Sequence, residues 1–165
     1  MMAILDVSYR NDLATIACVQ FYDWTDHEPA GMRISHLMVS SRYEPGYFYR
    51  RELPCLLHAL QQEPIQFSDI IIDGYVQLNP PRNKGLGLHL AESLEYDAAV
   101  FGVAKNPFKI ADRYRRIYRG RSKKPLFISA AGTSLDLAAE LIRSMHGEYR
   151  LPTLIKMADT LCREC

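Results

Sequence analysis

Apolar and polar positions along this chain change period twice. Ala3 to Tyr9 and Ala14 to Trp24 are rich in β-branched and aromatic residues, and the polar turn Arg10-Asn11-Asp12 separates them; Met32 to Val39 is a third such run. Runs of this kind predict strands, and links this short predict an antiparallel meander. From Arg50 to Gln62 the apolar residues fall at Leu53, Leu56, Leu57 and Leu60, which is helical spacing, with Pro54 expected in the first turn. Beyond it, Phe67 to Ile72, Ala98 to Ala104 and Pro125 to Ser129 are apolar runs suited to strands buried on both faces. They alternate with helical patterns over Leu86 to Leu94, Ser134 to Met145 and Pro152 to about Arg163. The expected fold is α/β: a mixed sheet of three antiparallel strands followed by alternating helix and strand, with helices on both faces.

Composition narrows this picture. The chain has 165 residues, 48% of them hydrophobic, enough for one core and too few for two ordinary domains, so one domain over residues 1–165 is expected. No run of about 18 apolar residues occurs and Asp6 interrupts the first apolar stretch, so the expectation is a cytoplasmic protein with no membrane partner. Cys18, Cys55, Cys162 and Cys165 lack the spacing of a disulfide framework, and the CxxC of the last pair has no second ligand pair nearby for zinc. The histidines His27, His36, His58, His89 and His146 are scattered, which disfavours a zinc hydrolase. Net charge is +1, yet Arg113, Arg115, Arg116, Arg119, Arg121, Lys123 and Lys124 crowd into one stretch interleaved with Tyr114 and Tyr118. That pattern suits either contact with a nucleic-acid backbone or a solvated basic hairpin.

The acids carry the candidate chemistry. Asp6 lies inside the apolar strand Ile4-Leu5-Asp6-Val7, and Asp73 closes Ile70-Ile71-Ile72 before Gly74. A carboxylate in such surroundings costs several kcal/mol unless it is paired or bound to a cation. Parallel pairing of these two strands puts both acids at one sheet edge, where α/β sheets bind ligands. Each also has a plain structural reading, as a strand-end cap or a partner for a buried arginine. Glu52, early in a helix, suits the helix dipole as well as it suits a metal, and Asp159 beside Met157, Ala158 and Leu161 suits a solvated face. Together the four form the hard oxygen set that Mg²⁺ or Mn²⁺ prefers.

These residues belong to a wider series of segments: Asp6-Val7-Ser8-Tyr9, Tyr43-Glu44-Pro45-Gly46 running into Arg51-Glu52, Ile72-Asp73-Gly74, Gly85-Leu86-Gly87-Leu88-His89, Gly102-Val103-Ala104-Lys105, Ile128-Ser129 with Gly132, and Tyr149-Arg150-Leu151-Pro152 leading to Ala158-Asp159. Taken in order, the series resembles the endonuclease V family, metal-dependent nucleases with a ribonuclease H-like domain. The resemblance implies that Asp6, Glu52, Asp73 and Asp159 hold Mg²⁺ or Mn²⁺ and that Lys105 reaches toward the scissile phosphate. It implies that Tyr43, Pro45 and Gly46 form a wedge beside a flipped base, with Gly74 approaching the nucleic acid. Arg116, Arg119 and Arg121 are the phosphate contacts expected from the basic stretch. The resemblance implies DNA or RNA as the partner and hydrolysis of a phosphodiester, near deaminated bases such as inosine, as the reaction.

Three positions depart from the family pattern. Val76 stands where a second glycine is expected, Asn79 where a histidine precedes Pro-Arg, and Thr133 where a histidine follows Gly132. A branched Val76 is expected to crowd the base pocket and weaken inosine discrimination. The alternatives left open are a non-catalytic or altered-specificity nucleic-acid-binding relative and a different ribonuclease H-like nuclease. Oligomeric state is open.

Overall fold

A computed structural model describes residues 1–39, 47–78, 84–109, 111 and 113–165. Three strands lead: β1 (Met2–Arg10), β2 (Leu13–Phe21) and β3 (Gly31–Met38), joined antiparallel. The two-residue link between β1 and β2 works because Asn11 takes a left-handed backbone at φ 57°, which asparagine tolerates. Then follow α1 (Tyr49–Gln61), β4 (Asp69–Asp73), α2 (Leu86–Ser93), β5 (Ala99–Ala104), β6 (Arg115–Ile117), β7 (Leu126–Ala131), α3 (Leu135–Ser144) and α4 (Thr153–Glu164).

All the strands share one seven-stranded sheet in the order β3-β2-β1-β4-β5-β7-β6. The central pairs β1/β4 and β4/β5 are parallel, while β5/β7 and β6/β7 are antiparallel. Alternate residues of each strand feed opposite faces. Ile4, Val19, Phe101 and Ile128 pack under Ala138, Ile142, Leu154 and Ala158 of α3 and α4. Leu5, Ile16, Ile72 and Val100 pack under Leu56 and Leu60 of α1 and Leu90 of α2. Each fully buried Ile or Leu contributes about 2 kcal/mol of transfer free energy, so the two-period pattern is a sufficient reason for helices on both faces.

Three local expectations change. The second strand ends at Phe21, and Trp24 instead packs against the core, its ring 5.8 Å from Phe21 and 5.0 Å from Phe101. Pro54 lies inside α1, past its first turn. The basic stretch contains β6, which the sequence reading treats as a hairpin or tracking segment; its three residues carry too little alternation to announce a strand, and pairing with β7 supplies the order. No helix among the described residues is long and apolar enough to cross a membrane.

Candidate metal and nucleic-acid site

Parallel pairing sets Leu5 opposite Ile72, so the next residues, Asp6 and Asp73, reach the same sheet edge. Gly74 follows at φ 120°, a conformation that side chains rarely adopt, and turns the chain away. On one side α1 brings Glu52, buried with Cys55 and Leu56. On the other α4 brings Asp159, and β1 holds that helix end: the Ser8 hydroxyl donates to the Cys162 carbonyl, and Arg10 donates to the Arg163 carbonyl at 3.1 Å.

Burial differs among these acids. Asp6, Glu52 and Asp159 are 9%, 5% and 6% exposed, whereas the Asp73 side chain is 38% exposed and faces the opening. Burial, and then the charge of Asp73, pushes the Asp6 carboxyl up to about 7, although Lys105 and the Val7 amide pull it down. Glu52 is raised well above the usual carboxylate range by burial and by the charges of Asp6 and Asp73. Asp159 goes the other way. Burial opposes its ionisation, but hydrogen bonds from Lys105 and Lys156, with Arg163 close by, hold it below its ordinary value.

Lys105, one residue past β5, spans the gap. Its Nζ donates to Asp73 Oδ2 and to Asp159 Oδ1, both at 3.0 Å, and those acids keep the ammonium charged against the cost of burial. Its backbone is fixed too: Arg150 donates to the Lys105 carbonyl and, at 2.7 Å, to the Pro125 carbonyl. Arg150 is a positioning residue the sequence reading passed over, although Tyr149-Arg150-Leu151-Pro152 flagged its neighbourhood.

The donor chemistry fits a divalent cation: oxygen ligands only, with Asp6 and Glu52 buried outside any ion pair among the described residues. As they stand, no three of these groups among the described residues have the spacing of one ion's ligand shell. Crowded carboxylates repel, and the Lys105 ammonium supplies the positive charge in their midst.

The residues expected to meet nucleic acid divide. Tyr43, Pro45 and Gly46 lie outside the described residues, as does Asn79. Arg116 and Arg121 are exposed, Arg116 lying 5.8 Å above the rings of Tyr114 and Phe127. Arg119 is a correction. It is 6% exposed and donates to the carbonyls of Met145, Tyr149 and Gly147 at 2.5, 2.8 and 3.0 Å, with longer bonds to Arg150 and Arg143. It clasps the loop between α3 and α4 and has no donor left for a phosphate. Arg115 pairs with Asp136 at 2.7 Å on the surface.

Val76 is the second correction. Its side chain is fully buried in the core under α2, and a Cβ at Gly87 would come within 2.6 Å of Val76 Cγ2. Its amide donates to the Ser129 hydroxyl at 2.9 Å, buried. The valine therefore fills the core instead of crowding a base pocket. What the loop does present is Tyr75, whose hydroxyl donates to the Asn106 carbonyl at 2.7 Å. Tyr75 also escaped the sequence reading; an aromatic directly after Asp73-Gly74 was the available signal.

The family model for endonuclease V matches residues 1–117. A relative named Endonuclease V from Streptomyces avermitilis is 34% identical over 145 residues, 76% of this chain and 62% of the relative. Another, from Streptomyces coelicolor, is 32% identical over 76% of this chain and 61% of its own length. The chain thus spans about three fifths of the length of these relatives. Among solved structures, Endonuclease V from Streptomyces avermitilis is 27% identical with a TM-score of 0.78, covering 98% of this chain and 79% of that one. Endonuclease V from Ciona intestinalis, in complex with a 24mer DNA containing an inosine followed by a ribo-adenosine, has a TM-score of 0.82 at 22% identity, covering 99% of this chain and 84% of that one. The expected ribonuclease H-like α/β fold is therefore the fold of this chain.

Proposed function

This chain belongs to the endonuclease V family, and from that premise we propose that it is a divalent-metal-dependent endonuclease that hydrolyses phosphodiester bonds in DNA or RNA, near deaminated bases such as inosine. The observation that carries this reading is the approach of four acids from four separate elements to the ends of β1 and β4, with Asp6 pushed up to about 7 and Glu52 also raised, by burial and by the charges of Asp6 and Asp73. Buried negative charge left this poorly matched is costly, and a bound cation removes the cost.

Asp6, Glu52, Asp73 and Asp159 hold Mg²⁺ or Mn²⁺ in this reading. When bound, the cation supplies Lewis acidity toward the phosphate and lowers the pKa of water. Asp73, the acid most open to solvent, faces the incoming strand. Lys105, anchored through Arg150, presents a point charge to the phosphate oxygens, which tightens as negative charge develops on them. Exposed Arg116 and Arg121 track the backbone beyond the cut.

A second reading, a relative that binds without cutting, has one observation in its favour: Lys105 closes the gap between Asp73 and Asp159. A panel of inosine-containing and unmodified single- and double-stranded DNA and RNA, with Mg²⁺ or EDTA, separates the two. Cleavage that needs Mg²⁺ is expected; binding with no cleavage of any substrate in Mg²⁺ or Mn²⁺ refutes the nuclease reading.

A further inference from the structure

Beside the acids lies a group of aromatic rings that the chemistry above does not use. Tyr75 follows Asp73-Gly74, and its hydroxyl is anchored on the carbonyl of Asn106, the residue after Lys105. Its ring centroid stands 6.3 Å from Phe108, 6.1 Å from Tyr114 and 6.5 Å from Phe127. Phe127 is the buried floor, 5.3 Å from Tyr114 and edge-on to it. Phe108 is 47% exposed, a large apolar ring left in solvent beside the half-buried Tyr75. Arg116 rims the group, its guanidinium above Tyr114 and Phe127 and 3.4 Å from the Tyr114 hydroxyl. Arg113, Arg121, Lys123 and Lys124 are exposed along the same stretch.

We propose that Tyr75, Phe108 and Tyr114, rimmed by Arg116, form a shelf on which an unpaired base of a single strand stacks beside the acids, whatever the identity of that base. The inference rests on the nuclease reading and adds to it how the strand is gripped. Aromatic faces stack with every base because every base has a π-face. The hydroxyl bond of Tyr75 fixes its ring before any ligand arrives, so little side-chain freedom is lost on binding. Exposed cations around an apolar face match a polyanion carrying flat bases better than they match an apolar protein surface. The amide of Val76, the residue after Tyr75, is already taken by Ser129 and buried. Grip by stacking, with few hydrogen-bonding groups aimed at base edges, gives affinity without sequence choice.

The test is fluorescence anisotropy with the full chain in EDTA at low salt, so that nothing is cut. The probes are a fluorescein-labelled single-stranded DNA oligonucleotide and the same strand with abasic sites, which keeps the phosphates and removes the bases. The base-bearing strand is expected to bind about tenfold more tightly, the size of one stacked base. Phe108→Leu keeps an apolar side chain at an exposed position, so the fold survives, and should cut that ratio severalfold; Phe108→Leu with Tyr75→Leu should bring it near unity. Placing hypoxanthine, adenine, cytosine or thymine in the strand should change affinity by less than about threefold, since stacking is tolerant of the base. An unchanged ratio in Phe108→Leu and in the double variant overturns the shelf, and a preference above tenfold for one base overturns its neutrality. If the parent chain binds neither strand the shelf is overturned, while the nuclease reading stands or falls on the Mg²⁺ cleavage panel.

Discussion

Two regions of this molecule bury charge, and they do it in opposite ways. Around Arg119, one guanidinium meets a ring of backbone carbonyls from the loop between α3 and α4, and every donor direction has an acceptor. At the ends of β1 and β4 the cations gather on Asp73 and Asp159, whereas burial, and then the charge of Asp73, lifts Asp6 to about 7. Matched burial holds a loop in place. Mismatched burial costs stability, and a protein keeps it where a missing partner arrives to complete the set. The same physical quantity, desolvated charge, therefore marks structure in one region and function in the other.

The sharpest break of that contrast is Asp73→Asn. It removes one of the crowded charges and one ion ligand, so Mg²⁺-dependent cleavage is expected to fall by about a thousandfold or more, while stability without metal holds or rises. Cleavage rates set beside a thermal melt check both halves; full activity would reduce Asp73 to a cap at the end of β4.

Arg119→Ala is the mirror experiment. Stripping the loop carbonyls of their shared donor should cost about 3 kcal/mol in urea unfolding. The salt dependence of nucleic-acid binding by whatever protein remains folded should not move. A shallower salt slope would restore Arg119 to the phosphate contacts.

Val76→Gly probes burial with no charge at all. Losing a fully buried side chain and freeing the backbone should destabilise by about 2 to 3 kcal/mol, with no gain in preference for an inosine-containing strand. Sharper inosine preference without loss of stability would put the valine back in the base pocket.

The same buried acids set the pH dependence of the metal-free protein. Asp6 keeps its proton in the folded state up to about 7 but gives it up near 3.8 when unfolded. Its contribution to stability is thus full below about 4 and is lost as pH rises through about 7. Glu52 acts in the same direction. Asp159, held low, loses its contribution only on going below the ordinary carboxylate range, outside this window. Melts from pH 4 to 8 should show the decline, Mg²⁺ should reverse it at pH 8, and Asp6→Asn should flatten it.

What the amino-acid sequence determined by itself was whatever depends on local period and on a residue's immediate neighbours. Strand and helix order followed from apolar spacing, because burial on one face or two leaves a repeating mark. Asp6 and Asp73 were legible as unusual because each sits in a run of apolar residues, where a carboxylate is costly wherever the chain goes next. Only the tertiary structure decided questions about direction. In the basic stretch, Arg116 and Arg119 read alike, but pairing of β6 with β7 turns one outward and lays the other under the loop from Arg143 to Arg150. The turn at Gly74 decided that Val76 faces Gly87 and the core while Tyr75 faces its aromatic neighbours. A side chain's identity states what it can bond to; which partner it finds depends on contacts far apart in sequence, and those exist only once the sheet has closed around them.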